Sequence, residues 1–237
     1  MADRDEVLGK LAHLRRRAYK PVLSDGDGVA TDSKLGGTPY LQQGSDWPLC
    51  GNCEDPIALA VQINPAQLPE PLRKEFGTDL IQFFYCTSDK PLCVDEAEAW
   101  EPYSTASICR QVAIAGDSAT PTRRPLTELG PFVIRSWQSA DDYPHWEERA
   151  QLGVELDDSE ADLANDLNLS GDKLSGWPHW VQGIEYPDCS ECGKTMRLVF
   201  QVDSGGSLEV NLGDMGCGHL TQCKVHKNVL AFGWACG

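Results

Sequence analysis

Two Cys-x-x-Cys pairs, Cys50/Cys53 and Cys189/Cys192, carry the most readable chemistry in this chain. Thiolates at i and i+3 on a tight turn span one edge of a tetrahedron around a metal about 2.3 Å from each sulfur. A closed structural site then needs two more ligands from elsewhere in the chain. After the first pair, Cys86 and Cys93 are available. Cys50, Cys53, Cys86 and Cys93 make a coherent four-cysteine set, although the second half, Cys-x6-Cys, is looser than usual. After the second pair, "CGHLTQCKVH" (217–226) offers Cys223 and His226 as a Cys-x-x-His knuckle. Cys189, Cys192, Cys223 and His226 is therefore the first choice, with Cys217, His219 or Cys236 as substitutes for the histidine. The expected cofactor is zinc, one or two ions.

A redox reading fits less well. A thioredoxin-type Cys-x-x-Cys sits between a strand and the helix whose N-terminus lowers the first thiol's pKa. Here "CGNCEDP" runs into a proline and a strand-like segment, so no helix opens at the motif. Inert buried thiols suit Cys109 but not two matched pairs. Ten cysteines in a chain expected to be cytoplasmic point to metal before disulfides.

The elements that would position these ligands are short and strand-like. "IALAVQIN" (57–64), "DLIQFFYC" (79–86), "MRLVFQVD" (196–203) and "VLAFGWAC" (229–236) are apolar, rich in β-branched or aromatic residues, and bounded by Pro, Gly or Asp. "ASICRQVAI" (106–114) and "PFVIRSWQ" (131–138) are weaker strand candidates. Residues 3–20 read as an amphipathic helix with Asp3 as its cap, Val7, Leu8, Leu11 and Leu14 at helical spacing, and Pro21 beyond its end. "PHWEERAQLG" and "DSEADLANDLN" read as two short helices, the second capped by Asp158 or Ser159. "SDGDGVATD" (24–32) has spaced aspartates but not the register of a calcium loop, so it is read as a turn.

The chain repeats itself. Displaced by 139 positions, residues 34–62 match residues 173–201 at eleven of 29 positions without a gap, against roughly two expected by chance. The identities include Lys34/Lys173, Gly37/Gly176, Pro39/Pro178, Gln62/Gln201 and both cysteine pairs. With a small gap, Cys86 falls beside Cys223. The fold expected is α+β and predominantly antiparallel β, with two pseudo-symmetric internal repeats, an N-terminal helix and an acidic helical insertion. The corresponding segments are 1–24, the helix; 25–115, the first repeat; 116–171, the acidic insertion; and 172–237, the second repeat. The repeats can share one core.

Within the repeated stretch, Gly37 and Gly176 are expected at positive φ, and Gln62 and Gln201 to satisfy backbone groups near the knuckles. Lys34 and Lys173 are read as pairing with carboxylates or covering apolar surface. Trp177, His179 and Trp180 are read as core packing before a ligand platform.

Charge bounds the partners. The net charge is −16 and the sequence pI about 4.6. Residues 141–172 hold eleven Asp or Glu against the single Arg149. Such a surface does not suit nucleic acid, which needs clustered Lys and Arg, and it draws basic partners. No window is long and apolar enough for a membrane helix, and the first twenty residues lack a signal peptide's apolar core. The expected location is cytoplasmic.

The blocks "KLGGTPYL…WPLCGNC…ALAVQIN…LIQFFYC", "WQSADDYP" and "DKLSGWPHWVQ…PDCSECGKTMRLVFQVD…GDMGCGHLTQC…LAFGWAC" resemble the YwqG-like family, a domain of unknown function. The KLGG-x-P, Cys-x-x-Cys and Leu/Phe-Gln pattern is also similar to programmed cell death protein 2 and its relatives. That wider resemblance implies a tandem β-rich module acting as a chaperone that holds a newly made ribosomal protein. The resemblance to the YwqG-like family carries over no catalytic residues.

An enzyme would need a nucleophile–base pair or an open metal site. The five histidines sit in no Ser/His/Asp order and in no His-Glu-x-x-His motif. The sequence therefore points to a zinc-stabilised, non-enzymatic protein-binding module with a basic protein client. The alternatives are an immunity or inhibitor protein against a toxin, and a zinc-dependent enzyme with an open site in the second repeat.

Overall fold

A computed structural model describes residues 3–237; Met1 and Ala2, which the expected 1–24 segment includes, lie outside the described residues. Ten strands form one sheet: β1 (Arg16–Asp25), β2 (Lys34–Leu35), β3 (Ala58–Ile63), β4 (Leu80–Tyr85), β5 (Ser107–Val112), β6 (Phe132–Asp142), β7 (Lys173–Leu174), β8 (Arg197–Asp203), β9 (Cys217–Gln222) and β10 (Leu230–Ala235). Their order is β10-β9-β8-β7-β1-β6-β2-β3-β4-β5, and every paired strand is antiparallel. The edge strands β5 and β10 come together, so the sheet curls into a nearly closed barrel. Closure leaves little exposed edge.

Apolar runs without alternation suit strands buried on both faces. Every residue of β3, β4 and β9 is buried. Phe83 on β4 stacks on Phe232 of β10 at 4.0 Å between ring centroids, and one apolar cluster joins residues from both halves.

The strand order is unchanged when β1–β5 and β6–β10 are exchanged. At its centre lies the longest ladder, β1 against β6, from Arg16↔Asp142 to Asp25↔Phe132. β7 joins β1 at Tyr19↔Leu174, and β2 joins β6 at Lys34↔Val133. Each half thus leads with a strand that hydrogen-bonds to the other half.

Three expectations need correction here. The N-terminal helix, read over 3–20, is α1 (Arg4–Leu11) with Asp3 as N-cap, followed by one 3-10 turn at Ala12–Leu14. Residues from Arg16 onward belong to β1, because an eleven-residue partner strand, β6, offers them a full ladder. Tertiary pairing overrides a helical apolar pattern there. The stretch 116–171 holds more than a helical insertion. It contains β6 at the middle of the sheet, then α3 (Trp146–Gln151) and α4 (Asp158–Asn165). The cap of α4 is Asp157, one residue earlier than expected, in a capping box with Glu160. Val7 and Leu11 of α1 pack on Tyr143, Ala164 and Leu167, and Lys10 bridges to Glu160.

Candidate metal centres

Each Cys-x-x-Cys pair lies on a hairpin tip between a two-residue strand and a long one, β2/β3 in the first half and β7/β8 in the second. Both tips close alike. The Cys50 N–H donates to the Asp55 carbonyl at 2.8 Å, and the Cys189 N–H to that of Lys194 at 2.9 Å. The bridges Leu49↔Pro56 and Asp188↔Thr195 frame them. The residue after each second cysteine has a left-handed backbone, Glu54 at φ 59° and Gly193 at φ 63°.

A second short segment meets each tip. In the first half it is the end of β4, which delivers Cys86, and α2 (Cys93–Glu96), which opens on Cys93. In the second half it is the turn after β9, which delivers Cys223 and His226. The turn is closed by the Cys223 N–H on the Val229 carbonyl at 3.0 Å.

The structure brings together Cys50, Cys53, Cys86 and Cys93 in one group, and Cys189, Cys192, Cys223 and His226 in another. Within each, all donor atoms lie within 4.8 Å of one another. A tetrahedron with metal–sulfur distances near 2.3 Å has sulfur–sulfur edges of about 3.8 Å. Cys50 and Cys93 sulfurs lie 3.9 Å apart, and Cys53 and Cys86 3.8 Å. Cys192 and Cys223 sulfurs lie 3.8 Å apart, and Cys189 Sγ is 3.7 Å from His226 Nδ1. These separations far exceed a disulfide bond, and all ten cysteines are free thiols. Four soft donors at tetrahedral edge lengths fit zinc.

Electrostatics favour a cation in each group. Burial pushes the Cys86 thiol up and Cys93 up to about 11. Burial also acts to raise Cys50, but the N–H groups of Cys53 and Asn52 outweigh it and hold that thiol below its ordinary value. The His226 N–H, 3.3 Å from Cys223 Sγ, is the main cause that draws Cys223 down to about 6, although burial opposes it. Neighbouring thiols cannot all give up their protons unless a positive ion balances the charge.

The outer contacts went unnoticed in the sequence. Asn52 Nδ2 donates to Cys93 Sγ at 3.4 Å and to Glu96 at 3.0 Å. Its counterpart 139 positions on, Glu191, approaches His226 Nε2 at 3.6 Å, leaving Nδ1 toward the sulfurs. A carboxylate behind a histidine ligand fixes the ring's orientation. The only available signal was position, since both fill the second variable place of a Cys-x-x-Cys.

The remaining candidates lie elsewhere. Cys217 opens β9 with its sulfur 3.6 Å from His219 Nε2, and neither joins the four-donor group, nor does Cys236. Cys109 is on β5. Gln62 and Gln201 do satisfy backbone groups, but those of the turns beside them. Gln62 accepts from Tyr40 N and donates to the Ala30 and Asp32 carbonyls, while Gln201 accepts from His179 N and donates to that of Gly171. Lys34 and Lys173 are buried and pair with Asp27 and Asp142, each at 2.9 Å. Trp177 and Trp180 are buried, with the Arg16 guanidinium 3.1 Å from the Trp177 ring centroid. No helix among the described residues is long and apolar enough to cross a membrane.

A family model described as "Domain of unknown function (DUF1963)" matches residues 33–222, most of the chain. No curated protein matches it.

Proposed function

We propose that this chain, which belongs to the DUF1963 family, is a zinc-stabilised, non-enzymatic module that binds a basic protein client. The observation that carries the structural role of the metal is the completeness of both donor sets. Each gathers four protein donor atoms within 4.8 Å of one another, a full tetrahedral set that would leave no position for the water a catalytic zinc activates. Each ion would tie a hairpin tip to a distant segment, β4–α2 in one half and the turn after β9 in the other. Its contribution is cross-linking in a shape that zinc holds without redox change.

The invariance of the strand order and the matched knuckles support an origin by duplication, with β1–β5 and β6–β10 as the two units. The net charge of −16 supports a basic client, and a role in the cytoplasm agrees with reduced cysteines.

Elemental analysis of carefully purified protein tests the metal: about two zinc per chain are expected, and less than half an equivalent overturns it. Affinity capture from the native cell, with and without translation inhibitors, tests the client. Recovery of no basic protein sinks that part.

A further inference from the structure

The two halves differ along one cross-strand row, and a cavity lies beside that row in the second half. In the first half, Gln62, Gln82 and Arg110 face one another across β3, β4 and β5. Gln82 Nε2 donates to the Tyr40 carbonyl at 2.7 Å, and Arg110 Nε donates to Gln82 Oε1 at 2.9 Å. In the second half the same cross-strand row reads Gln201, His219 and Gly233. His219 stands in for Gln82, its Nε2 3.2 Å from the carbonyl of His179, the counterpart of Tyr40. Gly233 stands where Arg110 would be. The guanidinium that completes the row in one half has no counterpart in the other.

A cavity of about 660 Å³ lies at that place, lined by Trp100, Glu101, Glu185, Tyr186, Gly233 and Trp234, with His219 in its wall. The His179 carbonyl can only accept, and the Cys217 sulfur 3.6 Å from the same nitrogen can accept as well, so a proton on Nε2 suits both neighbours and keeps Nδ1 as an acceptor. His219 is 6% exposed, and none of the described residues donates to that Nδ1. Burial, with Lys173 nearby, holds its ring well below the usual imidazole range, which keeps it neutral. Burial and the adjacent Glu101 both push the Glu185 carboxyl up. A cation between the two carboxylates relieves that repulsion, and the aromatic walls suit a flat guanidinium.

We propose that this cavity receives the arginine side chain of a polypeptide partner, placing its guanidinium against His219 Nδ1, Glu101 and Glu185 as Arg110 is placed against Gln82. The proposal rests on the reading of the protein as a binder of basic polypeptide and names the group it grips. Free arginine is disfavoured, because its own carboxylate would lie near Glu101 and Glu185.

The test uses the full zinc-loaded chain and the blocked tripeptide Ala-Arg-Ala, followed by calorimetry and tryptophan fluorescence. Saturable binding is expected, with Kd on the order of 1 mM for so small a ligand. Replacing arginine by its neutral isostere citrulline, or using the double variant Glu101→Gln/Glu185→Gln, weakens it at least about tenfold. His219→Gln, which restores the first-half residue, retains binding, and His219→Phe loses it. Absence of saturation, equal affinity for the citrulline peptide, or indifference to the glutamate variants overturns the proposal. Tighter binding of free arginine overturns the assignment to a polypeptide. The two readings fail separately. A basic client captured equally by wild type and His219→Phe refutes the pocket alone. Failure to capture any basic protein, with the tripeptide still saturating, refutes the client reading and upholds the pocket.

Discussion

Lys173 and Asp142 form an ion pair at 2.9 Å in which both side chains are fully buried. The Asp142 carboxylate also accepts the N–H groups of Trp177 at 2.8 Å and Leu169 at 3.0 Å. It thereby ties the end of β6 to the turn that leads into the second knuckle. Lys34, the counterpart, pairs at the same distance with Asp27, whose side chain is 37% exposed. Removing one partner of a buried pair leaves an uncompensated charge. Lys173→Met is therefore expected to cost about 3–5 kcal/mol in urea unfolding. Lys34→Met should cost roughly 1–3 kcal/mol, because water reaches the carboxylate left behind. Equal losses would show that burial does not set the cost.

Cysteine substitutions separate ligands from bystanders. Cys192→Ser is expected to lower bound zinc by about one equivalent and to destabilise the chain, since metal-binding free energy is folding free energy. Cys217→Ser, outside both groups, should leave zinc content unchanged. Loss of zinc from both variants, read by elemental analysis, would remove Cys217 from the bystanders.

Acid should weaken the fold through histidines that their surroundings hold below the usual imidazole range. Burial, then His179 and Arg149, hold His145 down to about 4, and burial also lowers His179 and His219. In the unfolded chain these rings take up protons near pH 6.5, while the folded chain resists. The stability tied to them is full above about 6.5 and is lost as pH falls toward 4. Between about pH 7.5 and 5, the urea midpoint of wild type should fall further than that of His145→Gln. Parallel curves would refute this for His145.

Glycine substitutions at two positions should act with opposite sign. Gly176 has φ 86°, and a Cβ there would lie 2.3 Å from Asp142 Oδ2. Gly37, its counterpart, has φ 74° and would meet Asp27 Oδ1 at 2.4 Å. Gly176→Ala is expected to lower stability by more than the ~1 kcal/mol of a left-handed alanine, because it also displaces a buried carboxylate. Gly9, inside α1, has nothing within 4 Å, so Gly9→Ala should raise stability by about 0.5–1 kcal/mol. Thermal unfolding reads both.

The sequence showed the parts that repeat and missed the parts that complete them. Both donor sets were readable because a Cys-x-x-Cys is a local motif and a second copy confirmed its frame. Lys34 and Lys173 were readable as lysines that pair with carboxylates or cover apolar surface, but their partners Asp27 and Asp142 were not, since the fold chooses which carboxylate meets each lysine. β1 was hidden because "RRRAYK" follows directly on an apolar helical pattern, while its strand character comes from pairing with β6 and β7. Gly233 was invisible as a site residue, since its importance is a side chain it lacks opposite His219.

The crossing of β1 and β6 has a further consequence. A fragment ending near residue 120 would hold the first knuckle but lack β6, the strand on which β2 leans. It would present two bare edges and could close only by borrowing the same strand from a second copy of itself. On the duplication proposed above, a single unit would have had to pair its first strand with that of a second copy, as β1 pairs with β6 here.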